Sequence, residues 1–226
     1  MKPIGLIGGV SWTSTMEYYR RLNSNFDVEI LIHSFNFADI LKHQKTNNIE
    51  EESRMLITAA MGLQKAGAAV ILICSNTTSK TSEIVAKCVD IPLVNVIEAT
   101  AKHIHTSGFS KVGLLATTHT VNNKLYNKYL GDVEIILPTT EQQEDIHNII
   151  YKELCNNIIL MPSKMKYLYT ILDMCNRGVE AVILGCTEIP LLISKDDLND
   201  LTLLGCSIDV PIIDTITVHI DALGKY

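Results

Sequence analysis

Short apolar runs along the chain alternate with longer stretches whose apolar residues recur every three or four positions. Runs of four to eight residues bounded by turn formers predict strands. They fall at Ile4–Ile7, Val28–Phe35, Ala69–Ile73, Leu93–Val96, Lys111–Ala116, Val133–Leu137, Ala181–Leu184 and Pro211–Asp214. Several are unbroken Val, Ile and Leu, as expected of parallel strands buried on both faces. Helical spacing predicts helices over Ser14–Asn23, Glu50–Ala66, Glu141–Leu154 and Ser163–Asn176, with Gly67 a C-cap of the second and Gly178 just past the fourth. Strands alternating with helices predict an α/β protein.

The pattern also repeats. Ile4-Gly5-Leu6-Ile7 and then Ala69–Cys74 in one half correspond to Val112-Gly113-Leu114-Leu115 and then Ala181–Cys186 in the other. A third pair is Ile91-Pro92-Leu93-Val94 and Val210-Pro211-Ile212-Ile213. Buried strands look alike in any α/β chain, but the shared order and similar intervals favour two similar halves. We expect two pseudo-symmetric domains, each a mostly parallel sheet flanked by helices, with the active site in the cleft between them. The first spans 1–98 plus 209–226 and the second 99–208.

Composition narrows the class. The chain has 226 residues, 47% of them hydrophobic, and a net charge of −6, which excludes global disorder. No apolar run approaches the length of a membrane span. The first strand is too short for the core of a signal peptide, so a cytoplasmic location is expected. The 19 Lys and Arg are scattered and aromatics are 6%, which argues against nucleic acid as a partner. The six cysteines lack a CxxC pair and any zinc spacing, so reduced thiols without a metal are expected. The glycines at Gly5, Gly8 and Gly9 do not form the dinucleotide pattern.

Two segments carry candidate chemistry, Cys74-Ser75-Asn76-Thr77-Thr78 and Gly185-Cys186-Thr187-Glu188. Each puts a thiol at the carboxyl end of a predicted strand, where open α/β sheets bind ligands. Small polar residues follow, suited to holding a carboxylate. A single such cysteine would read as a small buried hydrophobe. Two in matched halves suit inversion of a stereocentre, which needs a base on one face and an acid on the other.

With these segments the chain resembles the aspartate/glutamate racemase superfamily, in the branch of aspartate and broad-specificity amino-acid racemases. The resemblance runs over nearly the whole chain and rests on Gly5–Trp12, Cys74–Thr77, Leu114–Thr120 and Gly185–Ile189. It implies a cofactor-independent racemase of an amino acid, aspartate or a broader set that includes homoserine, working as a homodimer. Cys74 and Cys186 would be the two acid/base thiols. Ser75, Asn76, Thr77, Thr117, Thr120 and Thr187 would hold the substrate carboxylate or amine, with Val10 and Ser11 lining the same pocket. Glu188 follows the aspartate branch, where glutamate racemases have a His. Asp39 and Gln44 also match the branch. Asp39 reads equally as a helix cap, and Gln44 more readily as a solvated residue.

The departures bear on specificity. Aspartate-specific members follow Asp39 with an Arg, which would clamp a side-chain carboxylate, and have a Lys at the place of Cys155. Here Ile40 and Cys155 stand instead, and Ser79 replaces a His. Other readings are a related cysteine-dependent isomerase or decarboxylase of a small dicarboxylate, and a non-catalytic amino-acid-binding homologue. Cys88, Cys175 and Cys206 are expected to be structural, Trp12 to pack in a core or an interface, and His33 and His119 to be satisfied structural side chains.

Overall fold

The eight expected strands all form, in two four-stranded parallel sheets ordered β2-β1-β3-β4 and β6-β5-β7-β8. They are β1 (Ile4–Gly8), β2 (Ile30–Ser34), β3 (Val70–Ile73), β4 (Leu93–Val94), β5 (Lys111–Leu115), β6 (Glu134–Ile136), β7 (Ala181–Leu184) and β8 (Ile212–Asp214). The structure, a computed structural model, describes residues 2–46, 48–198 and 210–225; Cys206 lies outside them. Two units separate, residues 1–99 with 216–226, and residues 100–215. The sequence reading put 209–226 in the first unit, but β8 pairs with β7 through Val182–Ile212, Ile183–Ile213 and Leu184–Asp214.

In the first unit the two-residue period of the strands divides the core between the faces of the sheet. Ile4, Leu6, Val70, Leu72 and Cys74 share one face with Tyr18 and Leu22 of α1 (Trp12–Asn25) and with Ile216 and Ile220. Ile7, Ile71 and Ile73 lie on the other. There they pack on Ile40 of α2 (Phe37–Lys45), on Leu56, Ala59, Ala60 and Leu63 of α3 (Ile49–Lys65), and on Val85 of α4 (Ser82–Ala86). Each fully buried aliphatic side chain contributes about 1.5–3 kcal/mol.

The second unit is laid out the same way. Its helices are α5 (Val96–Ser107), which the chain enters from the first unit, α6 (Thr118–Asn122), α7 (Asn127–Leu130), α8 (Thr140–Lys152) and α9 (Met161–Asn176), and α10 (Thr215–Asp221) leads back to the first. A Cβ on Gly5 would come within 3.0 Å of Ala68, and one on Gly113 within 2.8 Å of the Met174 sulfur. The matching glycines of the repeat thus do the same work, letting the sheet meet the helix end that crosses it. The Thr139–Gln142 capping box starts α8, and Pro162 sits in the first turn of α9, where its missing N–H costs nothing.

Some expectations change. Val96 opens a helix, because the Asn95 side chain accepts the Ile97 N–H at 2.9 Å and ends β4 early. Asp39 is not the cap of α2; Asn36 accepts the Ala38 N–H, and Asp39 is exposed in the first turn. Trp12 is 54% exposed at the start of α1 and packs in no core. Cys88 is exposed, with its thiol on the Ile84 carbonyl.

His219 ties the ends of the first unit together. Its Nε2 donates to the Val94 carbonyl at 2.8 Å, so its Nδ1 accepts from the Tyr18 hydroxyl at 2.8 Å. Burial pushes its pKa down to about 4. Between that value and the ordinary 6.5 the unfolded chain binds the extra proton, so stability falls as the pH drops through this window. About 3 kcal/mol of unfolding free energy should be lost between pH 7 and pH 4 from this group. Urea unfolding followed by Trp12 fluorescence should show that slope in the wild type, flattened in His219→Gln.

Candidate functional site

In a sheet ordered β2-β1-β3-β4 the chain leaves β1 and β3 towards opposite faces, α1 on one and α4 on the other. The carboxyl ends of those two strands therefore border a crevice, the usual ligand site of open α/β sheets. The turns there are Gly8–Ser11 and Cys74–Thr78. In the second unit the same two places hold Ala116–Thr117 after β5 and Gly185–Glu188 after β7.

The crevice of the first unit is packed through backbone and hydroxyl groups. Gly9 has φ +86°, and a Cβ on it would run into the Phe35 backbone. A Cβ on Gly8 would strike the Thr15 side chain, whose Oγ1 accepts the Gly9 N–H at 2.8 Å. Ser14 Oγ donates to the Cys74 carbonyl at 2.9 Å and Thr15 Oγ1 to the Ser11 carbonyl at 3.0 Å, so α1 holds both turns. Ser75 Oγ accepts the Thr78 N–H at 3.3 Å and donates to Thr78 Oγ1 at 3.2 Å. Ser79 donates to the Ser75 carbonyl at 2.7 Å. Val10, Ser11, Asn76 and Thr77 are buried beside them.

Gln44 is buried rather than solvated, and its Nε2 donates to Thr78 Oγ1 at 3.3 Å. Beneath it Lys80 lies 2.8 Å from Glu52, a nearly dry ion pair between the turn and α3. Burial raises the Glu52 pKa against the pull of Lys80, and the Gln44 amide bears on the same carboxylate. Removing one partner of such a pair strands a buried charge. The sequence reading passed over Glu52 and Lys80, and gave Thr78 no role of its own within the Cys74–Thr78 segment. Their signal was a charged and a hydroxyl side chain close to the Cys74 turn, which sequence alone does not pair. Ile40 is fully buried in the core.

The two thiols differ in surroundings. Cys74 is fully buried on the apolar face with Leu6 and Tyr18, and desolvation drives its pKa far up. Cys186 donates its S–H to Glu188 Oε2 at 2.8 Å, and Thr187 Oγ1 donates to the same oxygen at 3.0 Å. Burial raises the Cys186 pKa well above the ordinary thiol range, followed by the charges of Glu188 and Cys155. Gly185 makes the turn fit: its N–H reaches the Leu115 carbonyl at 2.7 Å, and a Cβ there would lie 2.7 Å from Leu114.

Around this turn the second unit gathers Thr117 and Thr120, both buried. Thr117 Oγ1 accepts the Thr120 N–H at 3.2 Å. Tyr167 and Tyr126 are buried, and burial raises the pKa of both hydroxyls. Cys155 is buried close enough to bear on Cys186. Sequence reasoning named the thiols, Thr187 and Glu188 as candidates and neither tyrosine. Their period on α9 and near α7 reads only as core. Among the described residues, no cluster of three His, Cys, Asp or Glu side chains is placed to hold a metal ion, and no helix is long and apolar enough to cross a membrane.

Comparison with known proteins agrees with this layout. A Yersinia pestis structure assigned to the Asp/Glu racemases is 34% identical, with a TM-score of 0.84, over 100% of this chain and 99% of its own. An aspartate racemase homologue of Pyrococcus horikoshii OT3 is 31% identical, with a TM-score of 0.80, over 100% and 98%. The broad specificity amino-acid racemase RacX of Bacillus subtilis is 23% identical over 147 residues, 62% of this chain and 61% of its own. The chain spans about half the length of the curated glutamate racemases it matches. The two parallel sheets are those of the two-domain α/β racemase fold. The model of the Asp/Glu/hydantoin racemase family matches residues 7–223, and the chain belongs to that family.

Proposed function

We propose that the protein is a cofactor-independent racemase of a free α-amino acid, with Cys74 and Cys186 exchanging protons at opposite faces of Cα. The carrying observation is Cys186 donating to the buried Glu188 carboxylate at 2.8 Å, in a turn that repeats the Cys74 turn. A thiol must lose its proton before it can abstract one. Burial holds both thiols protonated, and Glu188 is the acceptor within reach of one of them. The Cys186 proton passes to Glu188, and the thiolate takes the α-proton. Cys74, still a thiol, gives its proton to the other face. Glu188 then releases its proton and Cys74 takes one up through solvent before the next turnover, and the reverse direction runs the same steps backwards.

Hydroxyl and amide groups of Ser75, Asn76, Thr77, Thr117, Thr120 and Thr187, with Val10 and Ser11, hold the substrate, donating to the α-carboxylate and accepting from the amine. Their worth lies in meeting the negative charge that develops when Cα loses its proton. Aspartate and uncharged polar amino acids such as homoserine are the substrates this reading favours. The places of two cations in aspartate-specific relatives hold Ile40 and Cys155, which supports the broader range.

The test is deuterium exchange at Cα in D2O with chiral analysis, over a panel of L- and D-amino acids and with thiols reduced. One or a few amino acids should exchange and racemise without added cofactor. Cys74→Ala and Cys186→Ala should each abolish racemisation and keep exchange of one enantiomer at most; wild-type rates in both would sink the two-thiol mechanism. Glu188→Gln should lower kcat about 100-fold or more, the usual worth of a positioned acid or base, with KM within a few-fold. An unchanged kcat in that variant would remove Glu188 from the proton path.

A further inference from the structure

One face of α8 grips the turn that carries Thr117. Gln143, His147 and Tyr151 follow at intervals of four and so share that face. Gln143 Nε2 donates to the Ala116 carbonyl at 2.8 Å. His147 Nδ1 lies 3.3 Å from the Thr118 N–H and 2.9 Å from Thr118 Oγ1. Tyr151 packs on the His147 ring at 4.7 Å between centroids, and His119 of α6 stands edge-on to it at 5.9 Å.

The Thr118 N–H can only donate, so His147 Nδ1 must be bare and the ring proton must sit on Nε2. We propose that neutral His147 is a positioning residue, holding the Thr117–Thr120 turn in its substrate-binding geometry through Thr118 and releasing it when protonated. The proposal rests on the racemase reading, in which Thr117 and Thr120 hold the substrate. A protonated ring could still donate from Nδ1 to Thr118 Oγ1, but the Thr118 N–H would then face another N–H and lose its acceptor.

The groups that bear on the ring work together. Burial lowers its pKa from the ordinary 6.5, followed by the charges of His119 from α6 and Lys152 from its own helix. All three disfavour the cation, so the anchor persists at neutral pH and is lost only on acidification below that ordinary value. Substrate affinity should follow, because the turn holds Thr117 and Thr120 against the substrate while His147 itself touches none of the reacting atoms.

The experiment pairs kinetics with NMR. In the wild type KM should rise as the pH drops, while kcat follows its own profile. His147→Asn presents a carbonyl oxygen near the position of Nδ1 and does not titrate. It should keep KM at neutral pH within about threefold and lose the acid rise. His147→Leu should raise KM about tenfold at every pH, the worth of about 1.4 kcal/mol of lost hydrogen bonding. An acid rise in KM that persists in His147→Asn would overturn the proposal. The second arm needs no turnover: the Thr118 amide resonance should titrate with the His147 ring. If no amino acid is racemised, the racemase reading fails, while this titration still decides the anchor. A Thr118 resonance that ignores the ring would overturn it.

Discussion

The first unit depends on a parallel sheet covered on both faces. Once Ile4, Leu6, Val70 and Leu72 are committed to one face and Ile7, Ile71 and Ile73 to the other, neither face of those strands has room for polar chemistry. Polar groups collect where the strands end, and the strand order puts two of those ends beside a crevice. The price is a dense set of hydroxyls and amides that must satisfy one another. Ser14, Thr15, Ser75, Thr78 and Gln44 do so around the Cys74 turn.

Burial also sets the electrostatics. A thiol inside an apolar cluster is hard to ionise, and Cys74 is such a thiol. Cys186 is buried too, yet it shares its proton with a carboxylate. A negative charge next to a thiol raises the thiol pKa and also offers the proton a place to go. The two cysteines that the repeat makes equivalent in position are thus unequal in chemistry. Burial acts in the same sense on the histidines, holding His147 and His219 neutral so that each can accept a hydrogen bond at Nδ1.

Each turn is held from outside as well as from within. The ion pair of Glu52 and Lys80 ties the Cys74 turn to α3, and α8 grips the Thr117 turn through Gln143 and His147. These supports come from segments some 30 residues away in sequence. They act on backbone atoms and hydroxyls next to the proposed substrate contacts, and the shape of each turn is therefore set by helix packing as much as by its own residues.

The sequence by itself determined the strands, the four longer helices, the matched cysteine turns and the family. Strands buried on both faces leave unbroken apolar runs, glycines mark where backbones approach, and a repeated order survives in one dimension. Helix α5 was hidden because the Asn95 side chain starts it, and at α2 Asn36 displaced Asp39 as the cap. Only the tertiary structure decided that Gln44 is buried, that Glu52 meets Lys80, and that Tyr126, Tyr167 and Cys155 are buried. A polar side chain reads as solvated until a distant partner satisfies it, and that pairing exists only when the chain is folded.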